Sequence, residues 1–285
     1  MVTPLRTIFF GNSRYSVIDV QKIHNVFGLS AVVTIPDRTT ARKELLVSPV
    51  KLFAIEKSIP VIEASKLTPD VVEKIRAYNP DFLIVADYGL ILPQSLLSLP
   101  RYAALNVHHS LLPKYRGPSP APSAILAGEQ ISGVSIISMT KKVDAGDILK
   151  QVSYTLKPDE TTESLLTELN ILGAQAVTEV MEMYVNGTTR PQQQNESQAT
   201  FTTYMSKKDG LLNLNDSPEM NWRKIRAYHE WPGTYFTINK KGKEMRVIVA
   251  TATYSEGILK IERVIPEGKK EMSWKEFEKN YSANK

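Results

Sequence analysis

A chain of 285 residues, 42% hydrophobic and 23% charged, is long enough for two ordinary domains and has the composition of a water-soluble protein. It contains no cysteine, which excludes a disulfide framework, a thiolate metal site and a cysteine nucleophile, and makes the cytoplasm the expected compartment. The net charge of +5 is uneven: from Arg190 onward there are 17 Lys and Arg against 12 Asp and Glu, while the first 189 residues hold 18 of each, so the basic last third is expected to meet something anionic.

The opening stretch MVTPLRTIFFGNS has too short an apolar run for a secretory signal, and no run reaches the roughly 20 residues of a membrane span, so no membrane contact is expected. LRTIFFG predicts a strand ending at Gly11, followed by a helix with Val17, Val20 and Ile23 apolar. LSAVVTIP predicts a second strand, closed by Pro36. Ser48 with Pro49, and Thr68 with Pro69, read as the starts of two further helices. DFLIVADYG and AALNVHHS are strands separated by LILPQSLLSLP, and PAPSAILAGE opens another helix. Strands SGVSIISM and ILKQVSYTL follow, then a long helix ending at Gly187. Near-continuous apolar strands alternating with helices predict a doubly wound, mainly parallel α/β sheet over residues 1–188, Rossmann-like in architecture. Residues 189–204 are polar and aperiodic, which predicts a linker. Residues 205–285 read as one helix and then strands TYFTINK, EMRVIVATATY and GILKIERVI, a small β-rich domain that is barrel-like if closed.

The chemistry is expected in LNVHHSLLPKYRG, residues 105–117. Asn106 and His108 lie two apart on a strand and so share a face, whereas His109 points the other way and reads as structural. Ligands of doubly wound sheets bind beyond the carboxyl ends of the strands, where this segment ends. KKVDAGDIL places Asp144 and Asp147 around Gly146 in a loop between two strands, and one carboxylate is expected to reach His108. Asn, His and Asp without a serine or cysteine nucleophile suit acyl transfer directly to an amine. The Asn106 amide and a protonated His108 would stabilise an oxyanion, while Asp144 orients the imidazole, favours its charged form and accepts a proton from the attacking ammonium. Alternatives stand beside this reading. A strand histidine is commonly a hydrogen-bonded core residue, and Asp-x-Gly-Asp is commonly a turn. A shared metal ion is disfavoured because the rings of adjacent histidines face opposite sides. Ser110 has no second base evident, and the glycines of a dinucleotide fold are missing from FFGNSRYS.

Residues 105–149, LNVHHSLLPKYRGPSPAPSAILAGEQISGVSIISMTKKVDAGDIL, resemble the folate-dependent formyltransferases, whose signature is Asn-x-His-x-Ser-Leu-Leu-Pro, an Arg-Gly loop, Thr-Gly-Val-Thr and Asp-x-Gly-Asp. The resemblance implies that Asn106, His108 and Asp144 are catalytic. It places the reduced folate near Ser110, Leu111, Leu112 and Pro113 and near the loop holding Tyr88, Gly89 and Leu90. Residues 32–61 are similar to the long loop carried by members that act on methionyl-tRNA, which offers Arg38, Arg42 and Lys43 to the acceptor end. YMSKKDGLLNLN, WRKIRAYHEWPGTYF and VIPEGKKEMSWKEF resemble the C-terminal, OB-like barrel domain of those members.

The implied reaction moves the formyl group of 10-formyltetrahydrofolate to the α-amino group of methionyl initiator tRNA, without metal or covalent intermediate, in a cytoplasmic monomer. Candidate phosphate contacts are Lys207, Lys208, Arg223, Lys224 and Arg226, with Lys240, Lys241, Lys243 and Arg246. Trp231 and Tyr235 are expected in the core. Three departures from the family pattern stand out: Asn12-Ser13 in the first loop, a basic loop without glycine at RTTARKE, and a slightly trimmed C-terminal domain. A relative that formylates an amino sugar nucleotide, or a catalytically silent RNA-binding homologue, are the competing readings.

Overall fold

The computed structural model describes residues 5–39, 45–240 and 242–281. The elements run β1 (Thr7–Phe10), α1 (Ser16–Phe27), β2 (Ala31–Thr34), β3 (Arg38–Thr39), β4 (Leu45–Leu46), α2 (Pro49–Glu56), β5 (Val61–Glu63), α3 (Pro69–Arg76), β6 (Phe82–Val85), α4 (Gln94–Leu97), β7 (Ala103–His108), α5 (Pro120–Ala127), β8 (Ile131–Ser138), β9 (Ile148–Thr155) and α6 (Thr162–Val185). They continue as α7 (Pro218–Ala227), β10 (Tyr235–Lys240), β11 (Lys243–Ser255), β12 (Ile258–Pro266), β13 (Met272–Ser273) and α8 (Trp274–Tyr281).

Every residue of β1, β2 and β6 is buried, as expected of parallel strands covered on both faces. Their alternation sorts the side chains into two cores. Phe9, Val32, Phe82 and Ile84 pack on one face with Val177, Val180 and Met181 of α6. Ile8, Phe10, Val33, Leu83 and Val85 pack on the other with Val72 and Ile75 of α3. The seven-stranded sheet has the order β5-β2-β1-β6-β7-β8-β9. The first five strands are parallel, and β8 and β9 return antiparallel. Ser48 caps α2 through the Lys51 N–H, with Pro49 at the first helical position. Thr68 precedes Pro69 in the same way but makes no side-chain cap bond.

The chain divides into two compact units, one of residues 1–120, 131–155 and 166–202, the other of 121–130, 156–165 and 203–285. In the second unit β10-β11-β12-β13 form an antiparallel sheet. Its core gathers Leu212, Ile225, Phe236, Val247, Val264 and Phe277. Trp231 departs from expectation: it is 48% exposed, because it stands in the turn that leads to Gly233 (φ +75°) and not in the strand that follows. Tyr235 is half-buried, with the Arg246 guanidinium 3.8 Å from its ring centroid.

Candidate active site

Strand β7 runs parallel to β6 and antiparallel to β8, so its carboxyl end sits where the sheet changes direction. Asn106 and His108 occupy one face there, and His108 is 5% exposed. Asp144 arrives from the loop that joins β8 to β9. Its Oδ1 accepts from Asn106 Nδ2 at 3.2 Å, and its Oδ2 accepts from the Gly117 N–H at 2.8 Å. The same Oδ2 lies 3.5 Å from His108 Nδ1, close enough for charge attraction but beyond a hydrogen bond.

His108 Nε2 is 3.0 Å from the Tyr115 carbonyl oxygen. A carbonyl only accepts, so Nε2 carries a proton, and in the neutral ring the lone pair sits on Nδ1, facing Asp144. Burial pushes the imidazole below its usual value; the Asp144 charge and the Tyr115 carbonyl pull it up, as does Asp87, while His109 adds to the lowering. The balance is downward, so the protonated ring anticipated from the sequence is not the resting form this environment favours.

Two glycines make the arrangement possible. Gly117 has φ +112° and a side chain there would meet the Thr202 carbonyl oxygen at 2.8 Å. A Cβ on Gly146 would fall 1.6 Å from the Ser138 carbonyl oxygen. Asp87, Tyr115 and Asp144 are non-glycine residues held at positive φ around the same edge.

The Ser110–Pro113 turn is held from the sheet. Ser135 Oγ accepts from the Leu112 N–H and donates to the Ser110 carbonyl, and the Gln151 amide donates to the Leu112 carbonyl. Leu112 is buried, Leu111 and Pro113 are half-buried, and Ser110 Oγ donates to the Lys114 carbonyl. In the neighbouring loop Tyr88 is buried, Gly89 is exposed at φ +85° and Leu90 is half-buried. The phenol of Tyr88 has no hydrogen-bond partner among the described residues, and burial pushes it up to about 12. The unusual Asn12-Ser13 pair shapes this loop: Asn12 donates to the Tyr88 carbonyl at 2.6 Å and accepts from the Ile35 N–H at 2.7 Å, and Ser13 Oγ donates to Asp87 at 2.7 Å. His109, on the opposite face of β7, has Nδ1 3.6 Å from Asp87 and a buried Nε2 without a hydrogen-bond partner among the described residues.

The basic candidates fall into different settings. Arg38 is exposed on β3, and Arg42 and Lys43 lie outside the described residues. Lys207, Lys208, Lys240 and Lys243 are exposed, and Lys241 is outside the described residues. On α7, Arg223 pairs with Glu219 and donates to the Ala127 carbonyl, Lys224 donates to the Leu211 carbonyl, and Arg226 donates to the Glu160 carbonyl at 3.0 Å. Sequence reasoning missed Arg116 and Gln194. Both are buried beside the Asp144 loop, and Arg116 donates to Gln194 and Glu196. The Arg116-Gly117 pair of the family signature was the one available signal. Among the described residues no group of three or more His, Cys, Asp and Glu is placed to hold a metal ion, and no helix is long and apolar enough to cross a membrane.

An amide, an imidazole and a carboxylate gather here at the carboxyl edge of a doubly wound sheet, and the Ser110 hydroxyl is committed to a backbone carbonyl. The fold that carries this cluster is that of a group-transfer enzyme, as the family match shows. Residues 9–181 match the model of the formyl transferase family, and residues 204–255 match that of the formyl transferase C-terminal domain. The chain belongs to the formyl transferase family. It is 35% identical to a methionyl-tRNA formyltransferase of Dictyoglomus turgidum, with 98% of each chain covered. Its fold is similar to that of the methionyl-tRNA formyltransferase from Clostridium thermocellum (TM-score 0.61, 17% identity, covering 94% of this chain and 99% of that one). It is also similar in fold to HypX from Aquifex aeolicus in complex with tetrahydrofolic acid (TM-score 0.63, 18% identity, covering 99% of this chain and 48% of that one).

Proposed function

We propose that the chain moves the formyl group of 10-formyltetrahydrofolate to the α-amino group of methionyl initiator tRNA. The observation that carries the reading is the Asp144 carboxylate, which touches Asn106 with one oxygen and faces His108 with the other. The likeness to a methionyl-tRNA formyltransferase along 98% of the chain supports the acceptor. The donor's residues fit in kind: the loop at Tyr88 holds a buried hydroxyl without a hydrogen-bond partner among the described residues, and the space beside Gly89, where a side chain would stand, is open.

The donor supplies an activated amide, because an aryl amine is the leaving group. The protein's part is positioning and charge. One N–H of the Asn106 amide is engaged by Asp144, so the second donates to the carbonyl oxygen as it gains charge. The attacking amine must lose a proton, and Nδ1 of neutral His108 is the basic atom that faces the same space. Asp144 stabilises the imidazolium formed there, and the Tyr115 carbonyl keeps the ring from turning. The same proton can then pass to the leaving amine, which returns His108 to neutral.

On the nucleic-acid side, Arg38, Lys207 and Lys208 are the exposed candidates for phosphate contact. Arg223, Lys224 and Arg226 have intramolecular partners and serve the packing of α7 first. We expect the chain to work in the cytoplasm, as a monomer. The test is an acceptor assay with labelled formyl donor: label should enter methionyl initiator tRNA and not uncharged initiator tRNA. A 4-amino sugar nucleotide as the preferred acceptor would replace this reading.

A further inference from the structure

We propose that Gln194 is a positioning residue for the transfer reaction, holding the Asp144 loop in the geometry that the carboxylate needs against Asn106 and His108. The proposal rests on the transfer reading and adds a residue from the polar segment whose sequence reads only as a linker.

Residues 192–202 of the segment are bonded within the first unit. Gln192 exchanges two backbone hydrogen bonds of 2.8 Å with Ile148. Thr200 accepts from the Arg116 N–H at 2.8 Å and Thr202 donates to the Arg116 carbonyl at 2.7 Å. Gln194 lies between these points and is 6% exposed. Its Nε2 donates to the carbonyls of Asp144 and Gly146 at 2.8 and 2.7 Å. Its Oε1 accepts from Arg116 Nε and Nη2 at 3.1 and 2.8 Å. Both N–H groups and the carbonyl of this amide are thus used, none of them by solvent.

Each of these bonds leads to the reacting groups. Asp144 is held in a left-handed conformation that a non-glycine residue keeps only when its surroundings impose it. Gln194 grips that residue's own carbonyl and the carbonyl two positions on. Arg116 stands between Tyr115, whose carbonyl receives His108 Nε2, and Gly117, whose N–H receives Asp144 Oδ2. One amide therefore joins the loop that carries the carboxylate to the loop that orients both the carboxylate and the imidazole. Glutamate would still accept from Arg116 but would turn a negative oxygen toward two carbonyls, and leucine would satisfy neither side.

The experiment compares Gln194→Glu and Gln194→Leu with wild type in steady-state formyl transfer and in an NMR titration of the His108 ring, whose charged and titratable neighbours are Asp144, Asp87 and His109. Both variants should lower kcat on the order of 10²-fold, the cost of a misplacement near 1 Å, with KM for donor and charged tRNA within about threefold. His108 should titrate at lower pH in Gln194→Leu, because Asp144 moves away from it. A Gln194→Glu variant with wild-type kcat would restrict the role to Arg116 and overturn the proposal. So would a His108 titration unmoved in both variants, a reading that needs no substrate. Wild-type protein that transfers formyl to no acceptor would instead sink the function, leaving the titration to judge Gln194. If Gln194→Leu fails to fold, Gln194→Glu, which keeps the bond to Arg116, decides the question alone.

Discussion

Asp144 Oδ2 stands 3.5 Å from His108 Nδ1, while its other oxygen accepts from Asn106 at 3.2 Å. The carboxylate thus faces the imidazole's lone pair without bonding to it, a position that becomes favourable when Nδ1 takes a proton. Removing its charge tests this. Burial pulls His108 down and Asp144 lifts it, so Asp144→Asn should let the ring fall further. A base must be neutral to act, so activity rises with pH through its pKa. The acidic limb of the kcat profile should therefore move to lower pH in Asp144→Asn, with a plateau lower on the order of 10²-fold. The acceptor amine is the same in both proteins and cancels in the comparison. A limb that stays in place would remove His108 as the base.

Gly146→Ala probes the loop from behind. The added methyl would lie 1.6 Å from the Ser138 carbonyl oxygen, which is backbone and cannot swing aside. The loop must shift, at a cost of about 1–3 kcal/mol if the strain behaves like ordinary overpacking. We expect kcat to fall at least tenfold, on the order of the loss a small misplacement causes, together with a lower melting temperature. Wild-type kcat in this variant would show that the position of Asp144 is not critical.

Asp19 makes a stability prediction away from the chemistry. It is wholly buried on α1, neither carboxylate oxygen has a hydrogen-bond partner in another described residue, and burial followed by the charge of Asp87 pushes its carboxyl well above the usual range, only partly offset by its own backbone N–H. A raised folded pKa means that the native state holds the proton longer. Its stabilising contribution is complete below the unfolded value near 4 and is lost as pH rises toward the folded value, at about 1.4 kcal/mol per pH unit. Asp19→Asn cannot ionise, so its stability relative to wild type should improve steadily as pH rises from about 4. Chemical denaturation of both proteins across pH checks this; a constant difference would contradict it.

The basic residues separate by whether they already have work. Lys207→Ala with Lys208→Ala should weaken tRNA binding and reduce its salt dependence, by a slope of roughly 0.7–0.9 for each phosphate left unneutralised, with the melting temperature unchanged. Arg226→Ala should lower the melting temperature, because its guanidinium is half-buried and donates to the Glu160 carbonyl. Binding measured from low to moderate salt, beside thermal melts, distinguishes the two groups.

The strands and the pairing of Asn106 with His108 were legible because a strand repeats every two residues and because Val, Ile and Phe run unbroken through β1, β2 and β6. The Asp144 loop was legible from its glycine and its spacing. The backbone groups that orient the site, the Tyr115 carbonyl and the Gly117 N–H, leave no mark on side-chain identity. Gln194 was hidden for another reason: QQQNESQ has no periodicity, and its partners Arg116, Asp144 and Gly146 lie 48 to 78 residues earlier in the chain. Asn12 looked like a departure from a family pattern, and its role as a clamp between the Ile35 N–H and the Tyr88 carbonyl appears only once three strand ends stand side by side. Trp231 was misjudged because aromatic character predicts burial on average and says nothing of a turn.

The proposal that amide, imidazole and carboxylate act together on one carbonyl is tested most directly by the single-turnover rate of formyl transfer to methionyl initiator tRNA in wild type and Asn106→Ala, both saturated with donor. Loss of an oxyanion donor predicts a rate lower by on the order of 10²–10³, with acceptor binding retained. A variant that transfers formyl at near the wild-type rate would contradict the account.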